Sequence, residues 1–223
     1  MDMHLLDVLL FSLSIGWIVA YIDAIRIGFK EKTYCIPFVA IALNITWETI
    51  GAAWYIKTGT LNYYSLTYAV WGIIDILIVT TYFKFGYAEF YRMFGKSKKT
   101  FVLWSLLFIL CAGAWQLFYS KSYDTWLVDT AFNQTFMMST MFIYMHWVRR
   151  SSKGQSMLIA IAKCIGTLGP TLQGYVTMHD SFMAGIGTVC FILDIAYIIL
   201  LYRTIRAEKA MVKSPKGKKK QNT

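Results

Sequence analysis

The chain has 223 residues, of which 57% are hydrophobic and only 15% charged, yet its formal net charge is +10. Soluble domains carry about 25% charged residues, and a mean hydropathy of +0.49 is too high for a soluble domain of this size. The composition argues against a secreted disulfide scaffold, a disordered chain and a soluble nucleic-acid binder, and it predicts an integral membrane protein.

Long apolar stretches account for most of the sequence. A helix needs about 20 apolar residues to cross the hydrocarbon core of a bilayer, and the chain contains stretches of this kind at 5–27, 35–56, 64–84, 101–119, 126–147, 155–178 and 181–203. We therefore expect an all-α bundle of seven transmembrane helices in one domain, residues 1–205, followed by a basic, disordered tail, residues 206–223. The start MDMHLLD lacks a basic segment, so the first stretch is expected to remain as a helix and not to be a cleaved signal peptide.

The basic residues predict the orientation of this bundle. Of the 22 Lys and Arg residues, 19 follow the first, third, fifth and seventh stretches, whereas Lys57 and Lys121 lie in the other connections and Lys163 lies within the sixth stretch. Because basic connections stay on the cytosolic side, we expect a cytosolic C-terminus and an outer or lumenal N-terminus. The sequence leaves open whether the membrane is a bacterial inner membrane or the endoplasmic reticulum.

Glu48, Asp75 and Asp194 lie near the middle of the second, third and seventh stretches. Ionisable side chains are costly within hydrocarbon and therefore mark candidate functional sites. Lys163, about two turns inside the sixth stretch, either extends to the interface or neutralises an acid such as Asp75 within the bundle. Three other acids lie near the ends of stretches and are expected to be solvated or capping residues: Asp7, Asp23 and Asp129.

Uncharged polar and aromatic residues accompany the acids. Helical spacing places Asn44 on the face of Glu48, and Tyr197 on the face of Asp194. Several polar residues lie toward the outer half of the spans, where a chamber open outward or sideways into lipid would collect them: Glu48, Gln116, Asn133, Gln134 and Gln173. Hydrogen bonding between helices is the alternative explanation for the Asn and Gln residues. Aromatic rings near the acids, Trp47 and Trp71 among them, can stabilise a cation through their faces.

Several familiar sites have no counterpart in the sequence. The last stretch has no Lys for a retinal Schiff base, the three His residues are scattered, and no phosphate-binding loop or GxSxG motif occurs. The aspartate-rich DDxxD and DxDD motifs of soluble terpene synthases are also missing, and the four Cys residues are expected to be packing residues. We therefore expect no cofactor and no metal, which leaves proton chemistry by desolvated carboxyl groups.

Four segments occur in order along most of the chain: KEKTYCIPFVAIALNITWETIGAAWY, DILIVTTYFKFG, RRSSKGQSMLIAIAKCIGT and FILDIAYIILLY. Together they resemble the membrane-integral terpene cyclases of fungal meroterpenoid and indole-diterpene biosynthesis and their bacterial relatives. The resemblance implies a metal-independent cyclase that protonates an epoxide or a terminal alkene of a prenyl chain. Its partners are then a prenylated small molecule, with or without an epoxide, and the lipid bilayer, but no nucleic acid.

The resemblance also assigns roles to residues. It implies that Glu48 and Asp194 are catalytic, that Asp75 matches the acid of the family's span-three segment, and that Asn44 matches the Asn that precedes its WE dipeptide. Candidate binding or supporting residues are Asp75, Asn44, Trp47, Trp71, Tyr197, Asn133, Gln134, Gln173 and Lys163. Gly51 departs from the pattern, because an aromatic residue is typical three positions after the Glu, and we expect this glycine to enlarge or reshape the pocket.

A mechanism follows as a hypothesis from burial. Removal from water disfavours the charged form of a carboxyl group, so Glu48 is expected to be protonated and to act as a general acid, with Asp194 assisting protonation or holding the proton of Glu48. The alternative function is a small seven-helix transporter or receptor of the PQ-loop kind, which would use the same acids for proton coupling. The sequence has no PQ dipeptide and no repeat between its halves. A purely structural subunit is a third possibility.

Overall fold

The structure, a computed structural model, describes residues 3–59 and 63–213. These residues form only helices and their connections, which confirms the all-α prediction for the described chain. The helices are α1 (Met3–Glu31), α2 (Phe38–Lys57), α3 (Tyr63–Phe85), α4 (Tyr87–Phe94), α5 (Lys98–Ser122), α6 (Trp126–Arg149), α7 (Met157–Val176) and α8 (Ser181–Lys213). Each of the seven long helices overlaps one of the seven predicted stretches, although α2 begins later than predicted and α7 is shorter at both ends, and α4 is an additional short helix after the third.

By length and composition, four helical segments within the described residues are able to cross a membrane: Phe11–Glu31, Ser65–Phe85, Lys98–Ser122 and Ser181–Val212. These belong to α1, α3, α5 and α8 and support a membrane protein. Membrane crossing by α2, α6 and α7, and the orientation of the termini, stay predictions.

Short polar motifs define where several helices begin and end. Ser97 and Ser156 cap the N-termini of α5 and α7 by accepting hydrogen bonds from backbone N–H groups of the first turn, and Asp180 does the same for α8 through the amides of Phe182 and Met183. Gly95 ends α4 in the left-handed conformation, which glycine adopts without strain. These caps define where the helices end and the connections between them begin.

Six of the long helices form a closed ring. Going round it, α1 packs against α7, α7 against α8, α8 against α6, α6 against α2, α2 against α3, and α3 against α1. Helix α5 lies outside this ring, against α2 and α6. The interior of the ring is therefore bounded by every long helix except α5.

Glycines allow α7 to approach its two neighbours closely. A Cβ placed on Gly16 of α1 would lie only 2.6 Å from the Cα of Gly166 of α7. On the other side of α7, a Cβ on Gly187 of α8 would lie 2.2 Å from Oγ1 of Thr171. Small residues at such contacts let helices approach closely, so α7 packs tightly against both α1 and α8.

The last helix is longer than predicted. Helix α8 continues to Lys213, so residues 206–213 of the predicted disordered tail are helical. Glu208 holds this extension against the α6–α7 connection by accepting a hydrogen bond from the backbone N–H of Ser152 at 2.9 Å. The remaining tail residues, 214–223, lie outside the described part of the chain.

Candidate active site

A cavity of about 220 Å³ lies inside the ring of six helices. All six ring helices contribute to its wall, and α5 contributes nothing. The wall is formed by the first halves of α3 and α6, the middle of α1 and α2, the second half of α7 and the start of α8. The cavity therefore occupies the end of the bundle opposite the connections 32–37 and 150–156.

Glu48 of α2 lines this cavity, and its carboxyl group is in hydrogen-bond contact with that of Asp75 on α3. Both side chains are buried, with 2% and 1% of their surface exposed. Two carboxyl groups can bond to each other only when a proton lies between them. Asp75 is not part of the wall, so it stands behind Glu48, and Oε2 of Glu48 is buried without a hydrogen-bond partner.

Tyr21 of α1 is a site residue that the sequence analysis missed. Its hydroxyl accepts a hydrogen bond from the side-chain amide of Asn44 and lies within electrostatic range of both Glu48 and Asp75. Tyr21 and Asn44 both line the cavity, so Asn44 lies beside the acid as predicted. The available signal was the run of Trp17, Ala20, Tyr21 and Ala24 at helical spacing, which marks the buried face of α1.

Aromatic rings form much of the wall next to Glu48. The rings of Trp47 and Tyr68 lie 4.7 Å apart between centroids, and those of Tyr68 and Trp71 lie 6.4 Å apart. The indole Nε1 atoms of Trp47 and Trp71 are buried without hydrogen-bond partners, as is Oε1 of Gln134 across the cavity. Because buried polar groups are normally paired, these wall atoms are suited to hydrogen-bond a bound molecule.

Gly51 reshapes the site but does not open it. A Cβ at this position would lie 2.7 Å from Cε1 of Tyr68, so the ring of Tyr68 occupies the space that a side chain on α2 would fill. Of the two expected effects, an enlarged or a reshaped pocket, the structure agrees with the second, because an aromatic ring from α3 takes the place of the aromatic residue that is missing from α2.

Lys163 and Asp194 form a buried ion pair with Nζ and Oδ1 2.6 Å apart. Lys163 also donates a hydrogen bond to Oγ of Ser139 at 2.7 Å, and its Nζ lies 5.9 Å from the ring centroid of Trp17. Lys163 therefore does not extend to the interface, and the acid that it neutralises is Asp194 and not Asp75. Asp194 is not part of the cavity wall.

The other predicted site residues divide between the wall and the packing of the bundle. Gln134 and Gln173 line the cavity. Asn133, which directly precedes Gln134 on α6, is half-buried and lies outside the wall. Tyr197 is buried away from the cavity and donates to Oε1 of Gln155 at 3.1 Å. Gln116 joins α5 to α2 by donating to the carbonyl oxygen of Leu43 at 3.0 Å.

The acids at the ends of the helices have hydrogen-bond partners within the protein, and Asp23 is buried, not solvated as expected. Asp23 is bonded to Arg26 and to Ser156, and Asp129 accepts hydrogen bonds from Tyr119 and Thr125; the side chain of Asp7 lies outside the described part of the structure. Within residues 3–59 and 63–213, no group of three or more His, Cys, Asp or Glu side chains is arranged to hold a metal ion.

Comparisons with known proteins agree with the segments noted in the sequence. The family model of Pyr4-like transmembrane terpene cyclases matches residues 2–207. Terpene cyclase ascF of Acremonium egyptiacum is 27% identical over 89% of this chain and 81% of its own length. Terpene cyclase pyr4 of Aspergillus fumigatus is 23% identical over 91% of this chain and 88% of its own length. No solved structure shows significant similarity to this chain.

Proposed function

This chain belongs to the Pyr4-like transmembrane terpene cyclases, and from that premise we propose that it cyclises a prenyl chain without a metal, using Glu48 as the proton donor. The resemblance inferred from four sequence segments is confirmed by this membership. The proposed substrate is a prenylated small molecule that carries an epoxide or a terminal alkene. Family membership favours this activity over the transporter or receptor that the sequence left open.

The contact between Glu48 and Asp75 is the observation that carries the proposal. Two buried carboxyl groups in contact are expected to share a proton, because two adjacent carboxylates would repel each other. Only Glu48 lines the cavity, so Glu48 is the member of the pair that touches a substrate. Asp75 is then a positioning residue: it does not touch the substrate, but it holds a proton beside the carboxyl group of Glu48.

The reaction starts when Glu48 transfers its proton to the epoxide oxygen. The adjacent C–O bond breaks and leaves an alcohol and a carbocation, the π electrons of the next alkene attack that cation, and a C–C bond forms. The last cation loses a proton to restore an alkene and Glu48 takes up a proton in turn, so the acid is regenerated and the overall reaction is an isomerisation. When the initiating group is an alkene, the proton adds to the less substituted alkene carbon, which leaves a tertiary cation, and the same sequence follows.

The cavity wall suits the cationic part of this sequence. Trp17, Trp47, Tyr68 and Trp71 present aromatic rings around the acid, and such rings attract a cation through their electron-rich faces. The same rings exclude water, which would otherwise capture the cation before cyclisation is complete. The unpartnered indole N–H groups of Trp47 and Trp71 are suited to hold an oxygen of the substrate near Glu48.

The test is product formation by Glu48→Gln in membranes supplied with epoxidised and unepoxidised prenyl substrates. We expect at least about a hundredfold loss of rate, because general acid catalysis contributes on that scale, with unchanged protein levels. Asp124→Asn is the matched control, since this acid is exposed in the α5–α6 connection. A Glu48→Gln variant that forms product at the wild-type rate would overturn the assignment of Glu48 as the proton donor. Loss of activity on treatment with a metal chelator would overturn the metal-independent mechanism.

A further inference from the structure

We propose that the basic end of the bundle binds one anionic phospholipid, with its phosphate in a basic pocket beside Arg149 and an acyl chain in the apolar groove along α4. The basic pocket has a volume of about 310 Å³ and lies between the connections that follow α1, α3 and α6. It is lined by four cationic side chains and one acid: Lys32, Arg92, Arg149, Lys153 and Glu89.

The carboxylate of Glu89 is already paired with groups of the protein. Its Oε2 accepts a hydrogen bond from Nε of Arg149 at 2.9 Å, and its Oε1 accepts one from the hydroxyl of Tyr34 at 2.9 Å. Burial raises the pKa of Tyr34 above its ordinary value, so the hydroxyl stays protonated and remains a donor. Glu89 therefore balances Arg149, and none of the other residues that line the pocket is acidic.

The cations that remain point to an anionic ligand. None of the ion pairs found within residues 3–59 and 63–213 involves Lys32, Arg92 or Lys153. Arg149 is fixed in place, with only 5% of its side chain exposed and Nη1 bonded to the carbonyl oxygen of Tyr34 at 2.9 Å, yet its Nη2 has no partner. A buried guanidinium with an unused donor, among three unpaired cations, is suited to bind a phosphate group.

An apolar groove of about 580 Å³ adjoins this pocket. Glu89 lines both, so the two cavities meet at α4. The groove is walled by side chains such as Phe90, Met93 and Phe94 of α4 and Trp104 and Phe108 of α5. No residue of α4 is buried, and a short helix that exposes aromatic residues beside basic ones is typical of the membrane interface.

The combination of charge and apolar surface selects a phospholipid over a free anion. Basic pockets between helices at the cytoplasmic membrane face bind anionic lipid headgroups, and the basic connections of this chain are predicted to lie on that face. A phosphate ion would fill the pocket but leave the groove empty, and a zwitterionic lipid would fill the groove but bring its own positive charge to the pocket. An anionic phospholipid satisfies both.

The test is lipid retention and thermal stability of the purified protein in a neutral detergent. We expect phosphatidylglycerol to remain bound in native mass spectrometry and to raise Tm, whereas phosphatidylcholine and inorganic phosphate do neither. The Arg92→Ala/Lys153→Ala variant should bind phosphatidylglycerol about tenfold more weakly or worse. The control Lys98→Ala/Lys99→Ala removes the same charge from exposed positions of the α5 N-terminus outside the pocket and should bind as the wild type does.

Three results would overturn the proposal: equal retention of phosphatidylglycerol and phosphatidylcholine, wild-type binding by Arg92→Ala/Lys153→Ala, or a full Tm shift with inorganic phosphate alone, which would indicate a soluble-anion site. Glu48→Gln serves as a further control. Because Glu48 lines neither the basic pocket nor the apolar groove, this variant should keep the full lipid response whether or not the proposed catalytic function is correct.

Discussion

Lys163 and Asp194 are joined by a buried ion pair that links α7 to α8. Through its second hydrogen bond, to Ser139, Lys163 also holds α6. The mid-span acid of the last helix is therefore committed to a contact among three helices, and the acid pair at the cavity is Glu48 with Asp75.

A variant that lacks one member of this ion pair should be less stable to unfolding than a variant that lacks both. Lys163→Met leaves a buried carboxylate without a counter-charge, which costs about 3–5 kcal/mol, whereas Lys163→Met/Asp194→Leu replaces the pair by apolar groups and should recover most of the stability. Thermal unfolding in detergent measures both. Because we assign Asp194 to packing, the double variant should also form product. A double variant that is stable but inactive would show instead that Asp194 takes part in catalysis.

Asp75→Asn should lower kcat and leave KM nearly unchanged, because Asp75 does not touch the substrate but holds the proton next to Glu48. We expect a loss of about tenfold to a hundredfold, smaller than that of Glu48→Gln, since an amide can donate to Glu48 but cannot supply a proton. Steady-state kinetics in membranes measures kcat and KM separately. Asp75→Glu, which keeps the carboxyl group, should recover part of kcat; failure to recover any, together with a raised KM, would indicate a role in packing only.

Trp71→Phe should raise KM about fivefold, because it removes the indole donor and keeps an aromatic ring in the wall. A hydrogen bond to a bound group is worth about 1 kcal/mol, and Nε1 of Trp71 has no partner in the protein. The control is Trp115→Phe on α5, whose ring lies outside the cavity. An unchanged KM in Trp71→Phe would mean that the substrate does not bind this indole N–H.

Gly16→Ala should destabilise the bundle by about 1–3 kcal/mol, the usual cost of an added methyl group in a packed interior. Its Cβ would collide with the backbone of Gly166, which cannot move without displacing α7. Gly185→Ala on α8 is the matched control, because no atom lies within 4 Å of its new Cβ. Urea or heat unfolding in detergent should separate the two variants, and equal stabilities would contradict the close contact of α1 and α7.

The positions of the long helices were predictable because each is a continuous apolar run of membrane-spanning length. Helix α4 was not predicted, since its eight residues are too few for a span and carry polar groups, although Gly86 and Gly95 on either side mark its ends. The extension of α8 was also missed, because its last turns are basic and are held by a contact of Glu208 with a distant connection.

The candidate site was predictable in its residue types but not in its pairing. Helical spacing identifies the buried face of each span, and on that basis Glu48 and Asn44 were placed together correctly. Which face meets which depends on the order of helices in the ring, and the sequence carries no local signal of that order. Asp194 was therefore assigned to Glu48 in place of Asp75, and the partner of Lys163 was left open.

The packing of Tyr68 over Gly51 makes the chamber beside the acid a joint property of two helices. A larger residue at position 51 is tolerated only when the ring at position 68 shrinks or turns away, and a smaller residue at position 68 leaves a void unless position 51 grows. Changes in the size or folding of the accepted prenyl chain should therefore arise through paired substitutions at these two positions, and homologues that differ at one of them should differ at the other.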